Sequence, residues 1–395
     1  MNKNDSHLRG NVQLFRSLSH KTMSTSNQSY CISSKLIAGI LLLLLTPKGS
    51  AQWENPGERY ANAYQKYTDT ECPIEEDAIK HFVYFARDRN AIQDHPLLAH
   101  GRFSGAQIMY PWSLLEPSKN EYDFSIIQQD YEYLKEHGKK LFVQLQDTTF
   151  NPDFRGVPAY LISDEYHGGT TPQFAGNGVQ EGWTAKRWNK AVQTRFALLL
   201  KALGENFDGK IEGINLQETA VGLSQEKDPS FTPAAYAKSI QANMRSLKNA
   251  FPTSTTMQYA NFMPGEWLPW EDEGYLKSIY EYGNKIGVGL GAPDLMVKRK
   301  GQLNHALAMM HEGEFDVPLG VAVQDGNYVG LTGADFPPGS GNADGSLAVK
   351  KNRKNIVPLL HAFAKDFLNV QYIFWVNQKP YFEEDVLSCF TNASR

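Results

Sequence analysis

The stretch SIIQQDYEYLKEHGKKLFVQLQD, residues 125–147, holds two elements in succession. Ile126, Ile127, Tyr131 and Leu134 recur at helical spacing, and Gly138 just beyond them is a helix stop signal. Lys140–Gln146 is short, apolar and bounded by polar groups, which predicts a strand. A helix feeding directly into a strand is half of a parallel α/β repeat.

Outward from this unit the same alternation continues. Predicted strands are His81–Ala86, Phe103–Tyr110, Lys140–Gln146, Ile211–Leu216, Ser254–Tyr259, Ile286–Leu290, Leu319–Val323 and Val370–Val376. The Glu75–Lys80 stretch before the first of them also reads as helix. Predicted helices cover Ser125–His137, Thr184–Leu203, a segment opened by Thr232 and Pro233, Gln302–Met310 and Ile356–Phe367. Eight strands with interposed helices predict an α/β fold, a (β/α)8 TIM barrel, which needs about 250 residues. The surplus falls in two long loops, Asp147–Trp183 and Gln324–Leu347. Both follow strands and so rise from the C-terminal face, where barrel active sites lie. A doubly wound open sheet is the competitor, but the chain has no Gly-x-Gly-x-x-Gly after an early strand and no phosphate-binding loop.

The 395 residues are 41% hydrophobic and 21% charged, which excludes a disordered main body. The apolar run Ile37–Leu45, with Lys35 before it and Gly49-Ser50-Ala51 after it, matches a signal peptide and is too short for a bilayer span. Residues 1–51 are therefore expected to be leader, with Met23 a possible true start, and residues 52–395 a single domain. The protein is expected to be secreted or periplasmic, with no stable membrane span after cleavage. The leader holds six Lys or Arg and one acidic residue, leaving 33 cations against 42 carboxylates, net −9. Such a chain has no electrostatic reason to hold nucleic acid, and neutral ligands fit it better. Cys31 leaves with the leader. Cys72 and Cys389 remain, one near each end, as a possible disulfide in an oxidising compartment. No metal or cofactor is expected, since His-Glu-x-x-His is absent and two cysteines do not make a zinc site.

Chemistry-bearing residues gather at the predicted strand ends. The second strand runs into Tyr110-Pro111-Trp112-Ser113-Leu114-Leu115-Glu116-Pro117, then Tyr122-Asp123-Phe124-Ser125. The third ends in Gln146 and Asp147, and the fourth in Asn215-Leu216-Gln217-Glu218. Glu266 and Trp267 follow the fifth, Asp294 the sixth, Gln324 and Asp325 the seventh, and Trp375 lies on the eighth. Carboxylates suit proton transfer, and aromatic rings suit the apolar faces of sugars.

The Trp-x-x-x-Glu-Pro…Tyr-Asp-Phe pattern resembles the segment after the second strand in the large retaining clan of barrel glycoside hydrolases. It is most similar to families 42, 35 and 5. The resemblance implies that Glu218 is the general acid/base. An Asn usually precedes that residue. Here Gln217 takes the place, and Asn215 is a second candidate for its role. The resemblance also implies a nucleophilic Glu at the end of the seventh strand, and here the chain departs, with Gln324 followed by Asp325. Asp325 is the expected second carboxylate, with Glu266, Asp294 and Asp147 as alternatives and Glu116 read as structural or rim-forming. Carboxyl groups about 5–5.5 Å apart would fit retention and about 6.5–9.5 Å inversion. Substrate contacts are expected from Tyr110, Trp112, Gln146, Asp147, Asn215, Gln217, Glu266, Trp267, Asp294, Gln324 and Trp375. The expected activity is cleavage of an oligo- or polysaccharide. A binding barrel without catalysis, or another polysaccharide-active enzyme such as a lyase, is the alternative. Oligomeric state is not legible.

Overall fold

Eight parallel strands close on themselves in chain order. They are Lys80–Tyr84, Phe103–Pro111, Lys140–Gln146, Gly213–Leu216, Thr255–Tyr259, Gly289–Ala292, Leu319–Val323 and Tyr372–Val376, with the eighth paired to the first. The computed structural model describes residues 60–266, 273–324, 327–328, 353 and 355–390. The expected barrel is therefore present. The expected leader lies outside the described residues.

Alternate side chains of each strand point inward. In the lower barrel these are Phe82, Phe142, Tyr372 and Phe374, with Phe142 centred 5.0 Å from Phe374 and 5.8 Å from Phe82. Gly213 makes room for them, because a Cβ there would come within 2.7 Å of the Phe142 ring. Above this apolar floor the interior turns polar. Gln107 Nε2 donates to Asn215 Oδ1 at 2.9 Å and to the Tyr259 hydroxyl at 3.2 Å.

Several boundaries differ from expectation for identifiable reasons. A helix over Tyr275–Ile286, not predicted, ends at Gly287 in the left-handed region (φ 78°). It consumes Ile286, so the sixth strand begins at Gly289 rather than Ile286. The helix expected from Thr184 starts at Lys190, capped by the Asn189 side chain, because Thr184 belongs to a strand. It continues through Gly204 to Phe207. Glu75–Lys80 is not helical. The Gln302–Met310 helix is divided at His305 into Lys300–Asn304 and Ala306–Glu312. Thr232 does cap the helix Pro233–Ala250, its hydroxyl accepting from the Ala235 N–H.

The long loop after the third strand folds into a small antiparallel sheet of Thr148–Thr149, Thr170–Phe174 and Gln180–Ala185. Of the loop after the seventh strand, Gln324, Asn327 and Tyr328 are described. Cys72 and Cys389 are bonded across a sequence separation of 317. Among the described residues no helix is long and apolar enough to cross a membrane.

Candidate active site

At the end of the fourth strand Gln217 is committed to the backbone. Its amide oxygen accepts from the N–H groups of Asp147 and Thr148 at 2.9 and 2.8 Å, joining the ends of strands three and four. Its carbonyl accepts from Gln258 Nε2 at 2.6 Å. Glu218 comes next and is partly exposed. The turn that carries it is clamped, with Arg187 Nη1 donating to the Glu218 carbonyl at 3.0 Å and the Tyr236 hydroxyl to the Thr219 carbonyl at 3.0 Å. One carboxylate oxygen, Oε2, accepts from Asn261 Nδ2 at 2.7 Å.

The Glu218 carboxyl is pushed up to about 8. Burial is the main cause, since it penalises the charged form, and the Asp294 carboxylate adds repulsion. The Asn261 bond and the Arg187 charge act the other way, and Glu181 adds a smaller upward push. Asp294, two residues past the sixth strand, is also raised by burial, against the Asn327 bond and the Arg299 charge. Asn327 Nδ2 donates to Asp294 Oδ1 at 3.0 Å, and its own Oδ1 accepts from the Gln324 N–H at 3.0 Å. The seventh-strand end thus holds Asp294 in place. Burial thus raises both carboxyls, and Asp294 adds to the rise of Glu218.

Of the other expected carboxylates, Asp147, Glu266 and Glu116 are occupied. Asp147 makes a bidentate pair with the buried Arg187, at 2.8 and 2.6 Å. Arg187 also donates to the Tyr236 hydroxyl at 2.7 Å. Glu266 accepts from the N–H groups of Tyr275 and Leu276, capping the helix that starts there. Glu116 pairs with Arg195 and accepts from Trp112 Nε1 at 2.8 Å, the structural role expected for it. Asp325 and Trp267 lie outside the described residues.

Strand parity corrects the aromatic expectations. Gln107 and Phe374 face inward, so Tyr110 and Trp375 face outward into the helix layer. The Tyr110 hydroxyl donates to Asp130 on the helix Ser125–Glu136 at 2.7 Å. Trp375 is fully buried and its Nε1 donates to His81 Nδ1 at 3.2 Å. Trp112 is fully buried against Phe196. None of the three presents a face to a ligand. Asn215 is likewise enclosed, bonded to Gln107 and to the Leu216 carbonyl. Gln146 remains a candidate contact, since its Oε1 is buried without a hydrogen-bond partner, as is that of Gln144 two residues earlier. Sequence reading passed over Gln144, Asn261, Arg187 and Glu181. Inward parity on the third strand was the available signal for Gln144.

One described group has the composition of a metal site. An Asp77 oxygen and ring nitrogens of His81 and His361 lie within 4.8 Å of one another, before and beside the first strand. The indole N–H of Trp375 only donates, so His81 Nδ1 accepts and the ring proton sits on Nε2, the atom facing Asp77. A protonated nitrogen is not a ligand. Lys365 Nζ, 3.7 Å from Asp77, adds positive charge. The residues do not fit a cation.

No family model and no curated protein matches this sequence. Similar solved structures include the catalytic domain of a β-amylase from Paenibacillus polymyxa, at 9% identity and a TM-score of 0.49, covering 77% of this chain and 93% of that one. An endo-glycoceramidase II from Rhodococcus sp. has 12% identity and a TM-score of 0.45, over 76% of this chain and 74% of that one. A thermostable xylanase mutant from Cellvibrio japonicus has 12% identity and a TM-score of 0.46, over 82% and 92%. At these identities and TM-scores no single family is shown.

Proposed function

We propose that this barrel hydrolyses glycosidic bonds, with Glu218 as proton donor and Asp294 as its partner carboxyl. The observation that carries the reading is Glu218 and Asp294 at the ends of strands four and six, held by Asn261 and Asn327 and both raised by burial, with Asp294 adding to the rise of Glu218. Two such groups do not both ionise readily, and burial keeps the proton on Glu218 near neutral pH. Glu218, titrating at about 8, is then the acid that protonates the leaving oxygen. Asp294 supplies negative charge toward the anomeric carbon or activates water. The polar upper barrel, with Gln144 and Gln146 lacking partners, offers acceptors for sugar hydroxyls. The Cys72–Cys389 bond favours an exported protein, in keeping with the expected leader.

Asp325, which follows the seventh strand in sequence, is the competing second carboxylate. Product release from a panel of glycans by wild type, Glu218→Gln, Asp294→Asn and Asp325→Asn decides between them. We expect losses of about 10²–10⁴-fold for Glu218→Gln and Asp294→Asn. Full activity in Asp294→Asn with loss in Asp325→Asn would move the role to Asp325. A sugar-binding barrel without turnover is the second reading, favoured by Gln324 standing where the resembled clan carries its nucleophile. Binding of a glycan by wild type with no product would support it.

A further inference from the structure

The loop rooted beside Glu218 and the turn after the first strand each carry a guanidinium group that forms no ion pair with a carboxylate among the described residues. Residues 147–156 leave the third strand at the point where Gln217 holds Asp147 and Thr148. Thr149 Oγ1 donates to the Phe154 carbonyl at 2.7 Å, and Trp183 Nε1 donates to the Pro152 carbonyl at 2.7 Å. The backbone of Trp183 is paired to Thr149 in the small sheet. Phe154 and Trp183 are therefore built platforms.

An arginine lies on each. The Arg155 guanidinium is 3.8 Å from the Trp183 ring centre, and that of Arg87 is 4.6 Å from Phe154. Arg87 enters from the turn after the first strand, where the Ala86 carbonyl accepts from the Met109 N–H at 2.8 Å. Both arginines are exposed, and neither forms an ion pair among the described residues, although Asp88 and Asp153 are close in sequence. The arginines nearby in the fold that are buried, Arg187 and Arg195, are paired with Asp147 and Glu116. Phe150, 55% exposed, adds an apolar surface on the same loop.

Stacking occupies one face of a guanidinium and leaves its N–H edge free for a bidentate anion. A group already held flat loses less freedom when it binds. We propose that Arg87 and Arg155, seated on Phe154 and Trp183, form a subsite for an acidic sugar, one bearing a carboxylate or a sulfate, in the glycan cut at Glu218. This rests on the glycan-cleaving reading of that site. It also narrows the substrate class, because the chain's net charge of −4 gives an anionic glycan no general attraction.

The test is calorimetric binding to Glu218→Gln protein, which separates affinity from turnover. Three matched oligosaccharides are used, neutral, uronate-containing and sulfated, at about 50 and about 300 mM salt. We expect one acidic ligand to bind at least about tenfold more tightly than the neutral one, less so at high salt. Adding Arg87→Ala and Arg155→Ala should remove that preference and leave neutral binding unchanged. Arg155→Lys, which keeps the charge without the planar fork, should restore only part of it. The better acidic ligand identifies the group recognised. Equal affinity for all three, a preference indifferent to the arginines, or binding of none overturns the subsite. An acidic preference without any product from wild type leaves the subsite standing and overturns the Glu218 reading. Cleavage of neutral glycans with a KM indifferent to the arginines does the reverse.

Discussion

Glu218 has a folded pKa of about 8 against about 4.5 unfolded, and the sign of its effect follows. Between those values the unfolded chain releases a proton that the folded chain retains, so stability falls as pH rises through that window. Glu218→Gln should therefore stabilise the protein by roughly 1–3 kcal/mol at pH 8 while lowering activity about 10²–10⁴-fold, read by thermal melts and product assays. Its neighbours should move the alkaline limb of kcat/KM in opposite directions. Asn261→Ala removes a bond to the ionised form and should raise that limb, whereas Glu181→Gln removes a like charge and should lower it. A limb unmoved in both variants would mean that Glu218 does not set it. Glu218 was legible in sequence because it stands just past an unmistakable apolar strand. Asp294 was only one of several carboxylates, since nothing local says that Asp147 and Glu266 are occupied. That follows from Arg187, 40 residues away from Asp147, and from two N–H groups at the helix start Tyr275. Trp112 and Trp375 misled because an aromatic at a strand end reads the same on either face, although alternation from Phe374 would have placed Trp375 outward.

The segment before the first strand, that strand itself and the helix Ile356–Ala362 meet at Asp77, His81 and His361. Burial holds both histidines below their usual value. Each repels Arg102, His81 also repels His361, and Lys365 adds to the effect on His361. Asp77 pulls His361 the other way. A histidine depressed in the folded state leaves stability untouched above about pH 6.5 and removes it as pH falls below that value, because the unfolded chain protonates first. Each unit of depression is worth about 1.4 kcal/mol at the low-pH end. Glu218 acts in the opposite direction over the same range, so the test is the difference between wild type and His361→Asn, in which Glu218 is common to both. The melting temperature of wild type relative to His361→Asn should drop between pH 7 and 5, and a difference independent of pH across this range would refute the assignment. Elements with strong local signals, such as Lys140–Gln146 and Leu319–Val323, sit where the pattern puts them. The sixth strand shifted because Ile286 fits the apolar stripe of the preceding helix as well as it fits a strand, and only the turn at Gly287 decides between them.

At the scale of the whole molecule, barrel closure brings the two ends of the described chain together, and the Cys72–Cys389 bond fixes them there. Opening so long a loop should cost about 2–4 kcal/mol, so Cys72→Ala with Cys389→Ala should lower the melting temperature. Activity at room temperature should persist, because the bond lies away from the strand ends that carry Glu218 and Asp294. The barrel was legible as a whole because eight alternations leave few other closed arrangements. Its chemistry was legible only in part, since a site assembled from separate strands depends on contacts between residues far apart in sequence. The most direct measurement is the titration of the Glu218 carboxyl by carbon-13 NMR in wild type and in Asp294→Asn. A midpoint near 8 that falls when Asp294 loses its charge is the predicted result. A midpoint at the ordinary value of about 4.5, indifferent to Asp294, would contradict the coupled pair.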